Sequence, residues 1–311
     1  MGNDDLQLSQ TFAWRGRSVA WDRLGAGDPV VMCHGTPWSA QLWAPFARAL
    51  SREYSVYLWD MPGYGQSSKH AGQAVDLGTQ GELLAELLTH WGLTRPHVVA
   101  HDYGGAVALR ANLLHDAEYA SLALVDVVAL RPWGSDFFRL VAANADVFAA
   151  QPAVVHRGAL ESYIATASHR GLSRAQLDTL TEPWLSADGQ RAFYQQIAEA
   201  DVRYTDEVQD RYSELDLPVK VIWGADDTWI PADRASTLAE AIPGALLDII
   251  PGAGHLIHYD APVELAISLH RWLTRECSER VTIQVPPARR ICRSATWEKW
   301  SRPQKAAYSI L

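Results

Sequence analysis

Short apolar runs alternate with segments of helical spacing along most of this chain. The apolar runs predict six buried strands, at residues 29–33, 55–59, 98–100, 122–125, 217–223 and 246–250. Apolar residues three and four positions apart predict intervening helices, at residues 39–50, 79–91, 104–114, 231–241 and 262–274. Two shorter strands around a turn at residues 15–17 precede them, within residues 7–24. This order predicts an α/β fold with a mostly parallel eight-stranded sheet and helices on both faces.

The alternation of strands and helices stops after Leu130. From residue 131 to residue 212 the sequence is helical and rich in aromatic residues, and the sheet pattern resumes at Leu217. An insertion here lies over the carboxyl edge of the sheet, where open α/β folds bind ligands. We therefore predict a core in two pieces, at residues 1–130 and 213–278. A helical cap at residues 131–212 separates them, and a basic irregular tail follows at residues 279–311.

Composition and charge exclude several classes of protein. The chain has 311 residues, of which 48 % are hydrophobic, so it can bury a large core. Its net charge of −9 argues against nucleic-acid binding, and no apolar run reaches the ~20 residues of a membrane span. Residues 1–5 lack the features of a signal peptide, and the three cysteines are scattered, at Cys33, Cys277 and Cys292. We expect a cytoplasmic protein with a small-molecule substrate and with neither cofactor nor metal.

The stretch from Val98 to Ala106 carries the most specific motif. Asp102 stands between an apolar run and a run of small residues, with Ala100 two positions before it and Gly104 two positions after it. This pattern is typical of a sharp strand-to-helix turn that exposes a nucleophile, where larger neighbouring side chains would collide. Most such sequences place Ser at the apex, so Asp102 is the unusual feature. The alternative is a structural carboxylate that caps the following helix.

Three further motifs follow the ends of predicted strands. They are His34-Gly35-Thr36-Pro37, Trp223-Gly224-Ala225-Asp226-Asp227 and Gly252-Ala253-Gly254-His255. With the turn at Asp102, and over residues 8–275, the chain resembles α/β-hydrolases of the branch that contains epoxide hydrolases and haloalkane dehalogenases. The resemblance implies the α/β-hydrolase fold with a cap inserted into it.

The same resemblance implies a role for each motif. Asp102 would be the nucleophile, and His255 would be the base that deprotonates a water molecule. Asp227 would orient His255, and Asp126 is the alternative acid because some dehalogenases carry theirs after the corresponding strand. The oxyanion hole would consist of two backbone N–H groups, those of Thr36 and Tyr103.

The chemistry of a carboxylate narrows the reaction. Attack on an ester would give a high-energy anhydride, whereas attack on a saturated carbon that bears a leaving group gives an ordinary ester. Asp102 therefore predicts a covalent alkyl-enzyme, which His255 would hydrolyse through an activated water molecule. A protein that has lost turnover and only binds a small ligand is the alternative, although such a protein has no use for a complete triad.

The leaving group separates two reactions. An epoxide leaves as an alkoxide and needs an acid, which related hydrolases supply from two cap tyrosines; the resemblance points to Tyr163 and Tyr194. A halide needs N–H donors, which the dehalogenases supply from Trp directly after the nucleophile and from a second Trp or Asn. Tyr103 and Thr36 stand at those two positions, and the candidate substitutes are Trp38, Trp133 and Trp184.

Epoxide hydrolysis to a diol is therefore the first expectation, and carbon–halogen hydrolysis is the second. A halo-acid dehalogenase ranks lower, because that subgroup carries Arg directly after the nucleophile, where Tyr103 stands. The aromatic residues of the cap favour an apolar substrate.

Overall fold

One mixed sheet organises the residues that the computed structural model describes, which are residues 6–279. Its strands, in chain order, are β1 (Gln10–Trp14), β2 (Arg17–Leu24), β3 (Asp28–Cys33), β4 (Tyr54–Trp59), β5 (His97–His101), β6 (Ser121–Val125), β7 (Val219–Gly224) and β8 (Leu246–Ile250). They lie in the order β1-β2-β4-β3-β5-β6-β7-β8. β1 pairs antiparallel with β2, β2 pairs antiparallel with β4, and the pairings from β4 to β8 are parallel. The predicted mostly parallel eight-stranded sheet is confirmed.

The two faces of the sheet carry separate hydrophobic clusters. Side chains alternate along each strand, so neighbouring residues of β5 point in opposite directions: Val98 and Ala100 belong to one cluster and Val99 to the other. Both clusters are buried, which is why apolar residues predominate in the central strands.

Helices cover both clusters and fill the segment between β6 and β7. Within residues 6–279 the α-helices are α1 (Ala44–Leu50), α2 (Leu77–His90), α3 (Tyr103–His115), α4 (Asp136–Ala143), α5 (Ala145–Ala149), α6 (Ala153–Ala165), α7 (Arg174–Thr181), α8 (Ala187–Ala198), α9 (Arg203–Gln209), α10 (Asp233–Ala241), α11 (Ile257–Asp260) and α12 (Pro262–Glu279). Short 3₁₀ turns occupy Ala40–Trp43, Glu182–Trp184 and Tyr212–Glu214. The predicted tail lies outside the described residues, apart from Glu279, which ends α12 and is therefore not irregular.

The predicted helix at residues 39–50 differs from the observed one. The segment begins as a 3₁₀ turn, α1 starts only at Ala44, and the Ser39 side chain caps neither. Pro45 explains the break, because proline has no N–H to donate and is tolerated only in the first turn of an α-helix. α2 also starts earlier than predicted, because the side chain of Asp76 accepts a hydrogen bond from Thr79 N–H and caps it.

The helical insertion, α4 to α9, touches loops at the carboxyl edge of the sheet. Trp184 Nε1 donates to the Pro37 carbonyl at 2.9 Å, and Leu256 N–H donates to the Ala167 carbonyl at 2.9 Å. These contacts bring the insertion against the loops after β3 and β8. None of the helices in the described part of the chain is both long and apolar enough to cross a membrane.

Candidate active site

Asp102 occupies the sharp turn between β5 and α3. Its φ of 51° and ψ of −121° are uncommon for a residue with a Cβ, and such strain is typical of this kind of turn. A Cβ on Gly104 would lie 2.6 Å from the carbonyl oxygens of Cys33 and His34. A glycine is therefore needed after Asp102, because α3 begins directly against the end of β3.

The three residues predicted as a triad lie together. His255 Nδ1 is 2.9 Å from Asp227 Oδ2, and His255 Nε2 is 3.3 Å from Asp102 Oδ2. All three residues are buried. Asp227 is fixed by its other oxygen, which accepts hydrogen bonds from Trp229 N–H at 2.7 Å and Ile230 N–H at 2.9 Å. In this geometry Asp227 accepts a hydrogen bond from the Nδ1–H group of the imidazole, and Nε2 faces Asp102.

His255 is held between two carboxylates. Burial alone lowers the pKa of an imidazole, but the charges and hydrogen bonds of Asp227 and Asp102 outweigh it and raise the pKa of His255 well above its usual value. The two carboxylates therefore favour the protonated form of the imidazole.

Asp126, the alternative acid, lies at the end of β6 and has no hydrogen bond to His255 in the described part of the chain. Its Oδ1 accepts the Gly224 N–H at 2.7 Å, and its Oδ2 has no partner within residues 6–274. Burial, reinforced by the charge of Asp227, raises the pKa of Asp126 well above its usual range and so favours its neutral form. The geometry supports Asp227 over Asp126 as the partner of the imidazole.

Thr36 holds the second oxygen of Asp102. Its backbone N–H donates to Asp102 Oδ1 at 2.6 Å, and its hydroxyl donates to Gln196 Oε1 at 2.7 Å. Tyr64 donates to the same Gln196 oxygen at 3.0 Å, so a side chain of α8 anchors this loop. Tyr103, the other predicted oxyanion donor, is the first residue of α3 and directly follows Asp102.

A cavity of about 430 Å³ opens beside Asp102. Residues of the core and of the insertion line it: Thr36, Asp102, Tyr103, Val128, Pro132, Trp133, Gly134, Ser135, Phe137, Phe138, Tyr163, Thr166, Thr228, Trp229, Ile230, Pro231 and Arg234. Its volume falls in the ordinary range for small-molecule sites, and its aromatic and aliphatic lining suits an apolar molecule.

The two predicted acid donors are separated. Tyr163 lines the cavity, and burial raises the pKa of its hydroxyl well above the usual value. Tyr194 does not line it: the side chain is buried inside the insertion, and its hydroxyl is 3.0 Å from His156 Nδ1. The geometry therefore does not support Tyr194 as an acid donor. Tyr103 also lines the cavity, and its buried hydroxyl has no hydrogen-bond partner within residues 6–274.

The three tryptophans considered as halide donors differ in whether their N–H groups are available. Trp133 Nε1 donates to Thr205 Oγ1 at 2.8 Å, and Trp184 Nε1 is used by the Pro37 carbonyl. Trp38 is buried, and its Nε1 has no partner within residues 6–274. Its ring stacks on Trp229, with ring centroids 5.7 Å apart.

Three further residues of this site were not predicted from the sequence. Trp229 stacks on His255 with centroids 5.0 Å apart, Gln196 anchors Thr36, and Arg234 lines the cavity. Trp229 lies two positions after Asp227, a proximity that could have flagged it. No signal in the sequence connects Gln196 or Arg234 to Asp102. Among the described residues, no three His, Cys, Asp or Glu side chains are grouped so that they could hold a metal ion.

Comparison with known proteins agrees with this architecture. Residues 28–262 match the family model described as the alpha/beta hydrolase fold. A crystal structure of an alpha/beta hydrolase fold protein from Burkholderia ambifaria is 42 % identical, with a TM-score of 0.83, over 85 % of this chain and 98 % of that one. The expected fold is confirmed.

Curated relatives are more distant. The acetyltransferase component of an acetoin-cleaving system from Pseudomonas putida is 30 % identical over 79 % of this chain, which spans only 64 % of that protein's length. A fluoroacetate dehalogenase from a Burkholderia species is 30 % identical over 51 % of this chain and 58 % of its own. The solved epoxide hydrolase CorEH is 18 % identical with a TM-score of 0.73, over 86 % of this chain and 98 % of that one, a likeness in fold alone.

Proposed function

This chain belongs to the alpha/beta hydrolase fold family, and we propose that it hydrolyses a small apolar epoxide to a diol through an ester on Asp102. The observation that carries the proposal is the setting of the Asp102 carboxylate at the turn between β5 and α3. Oδ1 accepts the Thr36 N–H at 2.6 Å, while Oδ2 faces His255 Nε2 at 3.3 Å. A carboxylate in this position is suited to attack on a saturated carbon.

The first step forms the ester. Oδ2 attacks one epoxide carbon, the carbon–oxygen bond breaks, and the oxygen takes a proton from a tyrosine hydroxyl. Tyr163 and Tyr103 are the donors proposed here, because burial raises the pKa of both well above the usual value and keeps them protonated. A neutral phenol is a suitable acid for an alkoxide, which is the stronger base.

The second step hydrolyses the ester. Nε2 of His255 removes a proton from water, and the water oxygen adds to the carboxyl carbon of Asp102. The negative charge that develops on Oδ1 is stabilised by the N–H of Thr36, with the N–H of Tyr103 as the second proposed donor. Collapse of this intermediate releases the diol and regenerates the carboxylate.

We also propose that the helical insertion acts as a cap over this site. The support is that Phe137, Phe138 and Tyr163, all from the insertion, line the cavity that Asp102 faces. Exclusion of water by such a cap would strengthen the electrostatic interactions inside the site.

Carbon–halogen hydrolysis is the second candidate. Trp38 does not line the cavity, but it stacks on Trp229, which does, and its Nε1 is the one feature of the described residues that favours this reaction. That group is buried without a partner in the described part of the chain, and a halide accepts weak N–H donors. The similarity to the fluoroacetate dehalogenase points in the same direction. Epoxide hydrolysis ranks first because Trp133, Trp184 and Trp229 already donate their N–H groups to Thr205, Pro37 and Thr166, respectively.

Trapping of the ester tests the proposal. A His255→Gln variant should still form the ester but should not hydrolyse it, so incubation with an epoxide panel should add the mass of one substrate to Asp102. Intact mass and peptide mapping give the readout, and Asp102→Asn is the matched control. An adduct formed only with haloalkanes would reverse the ranking and place carbon–halogen hydrolysis first. If the folded variant forms no adduct with either panel, the proposed nucleophile is contradicted and the alternative of a ligand-binding protein without turnover is supported.

Tyr163→Phe tests the proton donor. Removal of the hydroxyl is expected to slow epoxide opening by on the order of 10²-fold or more, measured as the single-turnover rate of ester formation. Tyr194→Phe is the matched control on the same insertion, and it should change the rate little because that hydroxyl faces His156. Equal rates for both variants and the wild type would remove Tyr163 from the site.

A further inference from the structure

The cavity beside Asp102 contains one cationic side chain. Of the described residues that line it, only Asp102 and Arg234 are charged. The rest are aromatic, aliphatic, glycine, or carry a hydroxyl group. A lone cation in such a lining has a strong influence on which substrates bind, because charges interact more strongly in a partly enclosed apolar site than in water.

Arg234 is fixed but not neutralised. One of its terminal nitrogens donates to the Arg131 carbonyl at 2.9 Å, which holds the guanidinium at the start of the insertion. Within residues 6–274 no carboxylate forms an ion pair with it. The nearby Asp206 pairs instead with Arg131 at 3.3 Å, and the preceding Asp233 makes no ion pair with Arg234. Several of its five N–H groups therefore remain available to a ligand.

We propose that Arg234 binds a carboxylate of the substrate, so that the preferred substrate is an apolar epoxide with one acidic end. The inference rests on the proposed function and names its substrate class. A single guanidinium matches a carboxylate in charge and can hold it through two parallel hydrogen bonds, whereas a doubly charged phosphate would need further donors.

The charge of Asp102 would help to orient such a substrate in the cavity. Its carboxylate repels the acidic end of the substrate, while Arg234 attracts it, so the molecule enters with its uncharged epoxide toward Asp102. The arginine lies in the first turn of α10, away from the position after the nucleophile that Tyr103 occupies. Recognition of an acid here would thus use a different element of the fold from the one that the halo-acid dehalogenases use.

Matched substrates test this inference. We would compare 4-(oxiran-2-yl)benzoate, whose carboxylate lies at the opposite end of the molecule from the epoxide, with its neutral amide on the wild type, Arg234→Gln and Arg234→Lys. For the acid, Arg234→Gln should lower kcat/KM about 10- to 100-fold through KM, and Arg234→Lys should lose less because it keeps the charge. For the amide, Arg234→Gln should lower kcat/KM far less than it does for the acid. Equal losses on acid and amide would overturn the inference.

A binding measurement separates this inference from the proposed reaction. Trp133 and Trp229 line the cavity, so quenching of intrinsic fluorescence can report binding of 3-phenylpropionate and of 3-phenylpropanamide, which cannot react. Tighter binding of the acid that is lost in Arg234→Gln supports the inference even if no epoxide is turned over, an outcome that would contradict only the proposed function. Equal affinity of the folded wild type for acid and amide would overturn the inference.

Discussion

Asp227→Asn is expected to lower turnover by on the order of 10³- to 10⁴-fold, by blocking hydrolysis of the ester rather than its formation. Asn can keep the hydrogen bonds that Oδ1 accepts from Trp229 and Ile230, which turns its NH₂ group toward His255 Nδ1. The imidazole must then accept at Nδ1 and carry its proton on Nε2, so it cannot remove a proton from water. Rapid-quench kinetics should show fast formation of one equivalent of the ester on Asp102, which then accumulates because its hydrolysis is slow.

Asp126→Asn is the matched control for this variant. Burial already favours the neutral form of the Asp126 carboxyl, and an amide oxygen can still accept the Gly224 N–H. Turnover should therefore stay within a few-fold of the wild type. A larger loss in Asp126→Asn than in Asp227→Asn would assign the triad acid to the end of β6.

Gly35→Ala is the second change with a large expected effect. A Cβ on Gly35 would lie 2.3 Å from Asp102 Cβ and 2.4 Å from Asp102 Oδ1, far inside van der Waals contact. Either the carboxylate or the Thr36 loop must move, and the 2.6 Å hydrogen bond between them is lost. Misplacement of a reacting group by about 1 Å costs about 10²-fold, and loss of an oxyanion donor costs about 10²- to 10³-fold. We expect kcat/KM to fall by at least about 10³-fold.

Gly158→Ala provides the control for a methyl group added elsewhere. Gly158 lies inside α6, where no heavy atom is within 4 Å of the added Cβ. Alanine should leave kcat/KM unchanged and stabilise the protein by about 0.5–1 kcal/mol, measured by urea denaturation. If Gly35→Ala is folded by near-UV circular dichroism and fully active, the Asp102 carboxylate is not the reacting group.

The sequence was sufficient to predict where the strands end and which polar residues of the candidate triad follow those ends. Asp102, Asp227 and His255 each follow a short apolar run, and parallel strands bring their carboxyl ends to one edge of the sheet. The sequence could not choose between Asp227 and Asp126, because both follow strands that pair side by side. That choice depends on where each side chain points.

The sequence predicted that the insertion is helical, but it could not predict which of its side chains face the cavity. Tyr163 and Tyr194 both lie on helices of mixed polarity, and the rotation of each helix decides which hydroxyl faces the cavity. Periodicity identifies a buried side of a helix without saying whether that side faces a cavity or another helix. α8 turns Tyr194 into the insertion, against His156. The position of Arg234 in the lining of the cavity depends on the same kind of long-range packing.

The two carboxylates that raise the pKa of His255 also fix the order of proton movements in the proposed reaction. Formation of the ester removes the charge of Asp102, so the pKa of the imidazole falls and the ring can give up its proton. An opened epoxide oxygen needs one proton, and the tyrosine that supplies it can be replenished from His255. Hydrolysis then returns a proton from water to the same ring. The proposed cycle on an epoxide would therefore exchange no net proton with the solvent, whereas loss of a halide would release one at every turnover.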